Sequence, residues 1–176
     1  MVQEHMPVLI VGGGPVGLTA SILLSQAGVH SLLVERHSGT SVHPKARAIN
    51  ARTMEIYRQC GVEAAVRAAG LPVQYTGLVV WARTLTGEEI ERRVPWRASP
   101  QATAVSPVRN CLCAQDDLEP ILRAFAEQHA AGELSFSTEV VAFEQDEEGF
   151  RDPSESCKRR QGTYTRRVHD RGRRCA

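Results

Sequence analysis

The rhythm of apolar and polar residues changes repeatedly along this chain, and each change predicts an element. Pro7 to Val11 is an unbroken apolar run ending at glycine, the pattern of a strand buried on both faces of a parallel sheet. From Pro15 to Ala27 the period becomes helical, with Val16, Ala20, Leu23, Leu24 and Ala27 as the apolar face. Pro15 suits the first helical position and Gly28 suits the stop. Ser31 to Glu35 resumes as strand. A strand, helix and strand within about thirty residues form the minimum right-handed βαβ crossover, whose two strands run parallel.

Arg36 to Asn50 breaks the pattern, with basic residues and histidines among small polar ones, and reads as a long loop able to line a ligand. Ala51 to Cys60 and Val62 to Ala69 follow as helices closed by Gly61 and Gly70. Tyr75 to Arg83 and Glu89 to Val94 read as strands around a Thr86-Gly87 turn, so residues 74–110 are expected to form an antiparallel insertion. Asp116 to Ala131 is helical again, with Leu118, Ile121, Leu122, Phe125 and His129 along one stripe. Asp116, Asp117 and Glu119 fall in its first turn, where negative charge complements the helix dipole, and Pro120 is early enough to be tolerated. Leu134 to Ser137 and Thr138 to Glu144 are predicted strands, with Asp146 to Gly149 a hairpin turn whose returning strand, due at Phe150, the sequence does not supply. Residues 151–176 then lose all periodicity. They carry few large apolar side chains beyond Tyr164 and Val168, and are expected to be disordered.

Charge sharpens that division. The formal net charge is +1, yet residues 1–150 hold 12 Lys+Arg against 17 Asp+Glu while residues 151–176 hold 9 against 3. The first part reads as the amino-terminal portion of one domain and the second as an aberrant basic tail, for which a frameshift in the gene is the favoured explanation. The near-neutral balance points to no nucleic-acid partner. The apolar run after Met6 is too short for a secretory signal or a membrane span, so no membrane role and a cytoplasmic location are expected. Five cysteines without a CxxC pair suggest reduced thiols and no metal site.

Gly12-Gly13-Gly14-Pro15-Val16-Gly17 carries the chemistry. It fits G-x-G-x-x-G between a predicted strand and a predicted helix. Gly12 permits a tight turn, Gly14 lets a pyrophosphate approach the backbone, and Gly17 lets helix pack on strand. Eighteen residues beyond Gly17, Glu35 ends the next strand, where a carboxylate accepts bonds from a ribose diol and repels a 2′-phosphate. FAD or NAD is therefore favoured over NADP at this site.

Three ordered segments resemble the single-component FAD-dependent aromatic hydroxylases, most closely the branch that oxygenates aromatic polyketides. They are Val8 to Arg36, His43-Pro44-Lys45-Ala46-Arg47-Ala48-Ile49-Asn50-Ala51-Arg52-Thr53-Met54-Glu55, and Gln115-Asp116-Asp117-Leu118-Glu119-Pro120-Ile121-Leu122. The resemblance implies an α/β, Rossmann-like FAD-binding domain into which the start of a substrate-domain sheet is inserted. It implies that Gly12, Gly14, Pro15, Val16 and Gly17 cradle the pyrophosphate, that Glu35 holds the adenosine ribose with Arg36 near the adenine, and that Arg47 and Gln115 reach FAD. The reaction implied is reduction of the flavin by NADPH, addition of O2 and transfer of one oxygen atom to a phenol-like ring. Because the cofactor carries that chemistry, no catalytic side chain is named.

Two later family motifs, a D-G and a G-D pair, have no counterpart here, so the chain is expected to be a truncated member with weak or no FAD retention and no hydroxylation. Two other readings stay open. A halogenase would share the opening unit, although Trp81 and Trp96 are isolated and form no W-x-W-x-I-P pattern. A non-enzymatic nucleotide-binding module is the other.

Overall fold

The computed structural model describes residues 7–43, 45–72, 75, 79–93, 106–140, 144–146, 149–151 and 166–168. Its helices are α1 (Pro15–Gln26), α2 (Ala51–Cys60), α3 (Glu63–Ala69) and α4 (Gln115–Ala126). Its strands are β1 (Val8–Val11), β2 (Ser31–Glu35), β3 (Ala48–Ile49), β4 (Val79–Ala82), β5 (Glu89–Arg93), β6 (Cys111–Leu112), β7 (Gly132–Phe136), β8 (Thr138–Val140), β9 (Glu144–Asp146), β10 (Gly149–Arg151) and β11 (Arg166–Val168). The chain forms two compact units, Met1–Val42 with Leu122–Ala176, and His43–Ile121.

The first unit is built on the predicted crossover. β1 and β2 pair in parallel from Val8↔Ser31 to Val11↔Val34, and β7 adds in parallel on the far side of β2, from Ser31↔Gly132 to Glu35↔Phe136. The order β1-β2-β7 makes β2 central, and Ser31 to Val34 are buried. β1 differs from expectation: Val8 to Ile10 are half-buried and Val11 is 65% exposed, because this strand takes the edge of the three-stranded sheet.

α1 packs on all three strands. The face it buries is Leu18, Ser21 and Ile22, whereas Val16 and Leu23 of the expected stripe are exposed. Apolar residues surround this helix, so their spacing alone did not select a face. The approach to β7 is close, since a Cβ on Gly132 would come within 2.6 Å of Ser25 Oγ and 2.9 Å of Ser21 Oγ. Gly28, at φ +73°, ends the helical segment as predicted.

α4 stops at Ala126, five residues before the expected end. The reason lies in the sheet: the Ala131 carbonyl already accepts the Ser31 N–H at 3.0 Å and Gly132 pairs with Ser31, so Glu127 to Ala131 must turn. Leu118, Leu122 and Ala126 are buried as a stripe requires. Glu119 is also buried rather than facing solvent in the first turn. Contrary to expectation the hairpin near Asp146 is closed, with Gly149–Arg151 returning on Glu144–Asp146, and Arg166–Val168, in the segment expected to lack structure, pair antiparallel with Thr138–Val140. Trp96 and the rest of residues 152–176 lie outside the described residues.

The second unit joins β3 to β6 and packs α2 against α3. Met54, Tyr57, Cys60, Val62, Val66, Cys111 and Cys113 are buried there. Asn50 caps α2 by accepting the Thr53 N–H at 2.8 Å, and Gly61 ends it at φ +88°. β4 and β5 form an antiparallel hairpin whose residues are exposed throughout. No described helix is long and apolar enough to cross a membrane.

Candidate cofactor site

β1 hands the chain to Gly12, whose φ of +111° is a conformation that a side chain resists. The turn keeps its ladder bond, since the Gly12 N–H donates to the Val34 carbonyl at 2.8 Å. Gly14 is extended just before α1, Pro15 opens the helix, and the Leu18 N–H bonds back to the Gly14 carbonyl at 3.0 Å. No side chain caps α1 and no acid sits in its first turn. The N–H groups of Val16 and Gly17 thus have no carbonyl within the helix to bond, and they carry the positive end of its dipole. Val16 is 84% exposed at this mouth. Gly17 is where helix meets turn: a methyl there would overlap the Gly12 carbonyl oxygen and lie 3.3 Å from Ile10 Cγ2.

Glu35 ends β2 beside this turn. Its Oε2 accepts the Gly13 N–H at 2.7 Å, and its Oε1 accepts the His37 N–H at 2.8 Å and meets His37 Nδ1 at 2.5 Å. Burial by itself would raise the carboxyl's pKa. The bonds from Gly13 and His37, with the charge of a protonated His37, outweigh that and hold it below the usual carboxylate range. The result is an anchored negative charge at the strand end. Arg36, next in sequence, is exposed.

Arg47 and Gln115 lie in the second unit and in α4, and the backbone draws them together across 68 residues of sequence. The Gln115 N–H donates to the Ala46 carbonyl and the Cys113 N–H to the Arg47 carbonyl, both at 2.9 Å, extending the β3–β6 pairing. The Arg47 side chain is exposed. The Gln115 amide Nε2 donates to Glu119 Oε1 at 2.6 Å, so this side chain is oriented from within its own helix.

Two residues that bear on the site escaped the sequence reading. Gly13 occupies a free position of the motif, yet a Cβ on it would stand 3.0 Å from Glu35 Cβ and 3.3 Å from Phe136 Cε1. His37 holds Glu35 twice. A third consecutive glycine and a histidine two places after the acid were the available signals.

The geometry suits a dinucleotide. An uncapped helix start without acids accepts a diphosphate, the glycines clear the approach to it, and a fixed carboxylate lies where a sugar hydroxyl can reach it. The FAD binding domain family matches residues 5–167. The chain belongs to that family. This member is 42% identical over 164 residues to the tetracenomycin B2 monooxygenase-dioxygenase of Streptomyces olivaceus, a match covering 85% of this chain and 30% of that protein. Among solved structures it is similar to the flavin-dependent monooxygenase PieE in complex with FAD and substrate, at 40% identity and a TM-score of 0.79, over 84% of this chain and 26% of that one. It is also similar to aklavinone-11 hydroxylase in a ternary complex with FAD and aklavinone, at 34% identity and a TM-score of 0.71, over 84% of this chain and 28% of that one. The family member described here therefore spans less than a third of the length of these relatives.

Proposed function

We propose that this chain supplies the nucleotide-binding portion of an FAD-dependent monooxygenase that hydroxylates an aromatic, polyketide-like ring with NADPH and O2, in the cytoplasm. The observation carrying this reading is the pairing of an uncapped α1 start with a carboxylate tied to the same turn through the Gly13 N–H.

Val16 and Gly17 would donate their N–H groups to the FAD diphosphate, with Gly12 and Gly14 clearing the path and Pro15 setting the helix start. Glu35 would accept a hydroxyl of the adenosine ribose, and the exposed Arg36 would flank the adenine. Arg47 and Gln115 would meet the cofactor through a guanidinium and an amide, the latter oriented by Glu119. With one Nε2 hydrogen donated to Glu119, Gln115 still offers Oε1 as an acceptor and its second N–H as a donor. When bound, FAD would supply the redox chemistry that joins NADPH, O2 and the ring. No side chain in the described residues is assigned a proton transfer.

The test is a titration of the full chain with FAD, followed by quenching of flavin fluorescence, with ADP as competitor. Weak but saturable binding that ADP displaces is expected, too weak for the flavin to be retained through purification. Absence of any binding at millimolar FAD would overturn the reading. NADPH-dependent oxygen uptake coupled to hydroxylation of a polycyclic phenol, assayed in a protein of the relatives' full length that carries this portion, tests the catalytic half.

A further inference from the structure

The Glu35 carboxylate is not free to choose its geometry. A carboxylate offers about four acceptor positions, two on each oxygen. Both on Oε1 are taken by His37, through its backbone N–H at 2.8 Å and its ring Nδ1 at 2.5 Å. One on Oε2 is taken by the Gly13 N–H at 2.7 Å. The remaining position is on Oε2, the oxygen that faces the glycine turn. The Glu35 side chain is 14% exposed, whereas the His37 side chain is 67% exposed, so the ring is a bracket laid over the carboxylate from the solvent side and not part of a core. The His37 backbone is itself fixed, because its carbonyl accepts the Ser137 N–H at 2.9 Å in the turn between β7 and β8.

We infer that His37 is a positioning residue for the nucleotide, one that locks Glu35 Oε1 so that the last acceptor position, on Oε2, is aimed at a single ribose hydroxyl. This rests on the FAD-site reading above. The ring need not touch the nucleotide. It removes the rotation by which the carboxylate would otherwise turn toward solvent, and so spares the cost of ordering that group when the sugar arrives.

The experiment measures dissociation constants of the full chain for ADP and for 2′,3′-dideoxyadenosine diphosphate, which lacks the sugar hydroxyls. Wild type is compared with His37→Ala, His37→Asn, Glu35→Gln and the His37→Ala/Glu35→Gln pair. His37→Ala should weaken ADP binding about fivefold while leaving the dideoxy compound within about twofold, as expected for loss of preorganisation at one charge-assisted hydrogen bond. His37→Asn places an amide donor near the Nδ1 position and should restore most of the ADP affinity. In the Glu35→Gln background, His37→Ala should have no further effect. Unchanged or tighter ADP binding by His37→Ala overturns the inference, as does equal weakening of both compounds, which would mean general damage to the turn. A wild-type chain that binds neither compound overturns the FAD-site reading and this inference together.

Discussion

Replacing Gly17 by alanine tests the central packing claim, because the perturbation is one methyl group and its surroundings are backbone. The added Cβ would overlap the Gly12 carbonyl oxygen and sit 3.2 Å from the Gly12 carbonyl carbon and 3.3 Å from Ile10 Cγ2. Gly12 cannot yield, since its N–H is bonded to Val34 and its φ of +111° is set by the turn. α1 must therefore lift from the glycine turn by roughly 1.3 Å or more to restore an ordinary carbon–oxygen separation. Overpacking of this kind costs about 1–3 kcal/mol, and rigid neighbours place this site near the upper end. For a chain of this size that is a fall in melting temperature of roughly 6–12 °C. The lift also carries the Val16 and Gly17 N–H groups away from the proposed diphosphate position, so FAD affinity should fall about tenfold or more, the loss of one charge-assisted bond. Two other glycines calibrate the result. Gly28→Ala meets nothing within 4 Å but keeps a φ of +73°, and should cost about 1 kcal/mol without affecting FAD. Gly39→Ala meets open space with no such strain and should stay within about 0.5 kcal/mol of wild type. Thermal unfolding by circular dichroism and FAD titration measure both effects. If Gly17→Ala melts and binds like Gly39→Ala, the close contact between helix and turn is wrong.

Glu35 makes stability depend on acid: its carboxyl is held below the usual range, so its contribution is present above the unfolded-state pKa and is lost as pH falls through the lower folded value. Unfolding free energy measured against pH should therefore drop less steeply on acidification in Glu35→Gln than in wild type, and parallel curves would contradict the assignment. Arg47→Ala removes an exposed side chain while leaving the backbone bond to Cys113 intact, so stability should change by less than about 0.5 kcal/mol while FAD affinity falls severalfold. Cys60, Cys111 and Cys113 are buried, and burial together with the neighbouring Cys111, Asp117 and Asp116 pushes the Cys113 thiol up to about 11. Iodoacetamide at pH 8 should therefore leave these three unlabelled until urea unfolds the chain, as peptide mass spectrometry would record.

Features governed by neighbours in sequence were legible beforehand. Pro15 at a helix start, Gly28 and Gly61 at left-handed ends, and the Thr86-Gly87 turn each answer to local backbone geometry, and each stands where the pattern placed it. Features governed by distant partners were not. The edge position of β1 depends on β7 choosing the far side of β2, more than a hundred residues downstream. α1 is apolar nearly all round, so only the sheet beneath it could decide that Leu18 and Ile22 are covered and Val16 is not. α4 ends early because Ala131 and Gly132 are claimed by strand pairing to Ser31. The motif glycines and Glu35 were found by spacing, but the bond that joins them passes through Gly13, to which the motif gives no task.

That bond changes what the crossover unit can do alone. Phe136 of β7 stands behind Gly13, close enough that a Cβ there would come within 3.3 Å of its ring, and the Arg123 guanidinium of α4 covers the same ring 4.0 Å from its centroid. The glycine turn is thus pressed from behind by an aromatic edge, and that edge is held by a cation–π contact with Arg123, both partners lying more than a hundred residues from the turn in sequence. Glu35 pairs with Phe136 across the β2–β7 ladder, so the carboxylate and its backing ring are set by one register. A slip of β7 by one residue would send Phe136 to the face of the sheet opposite Glu35. Strand, helix and strand create the amide donors for a diphosphate, but the carboxylate acquires its fixed direction only when β7 is in place. On the proposed reading, the part of the site that would tell a ribose from other groups is therefore a product of the three-stranded sheet, and the glycine motif by itself would account only for the phosphates.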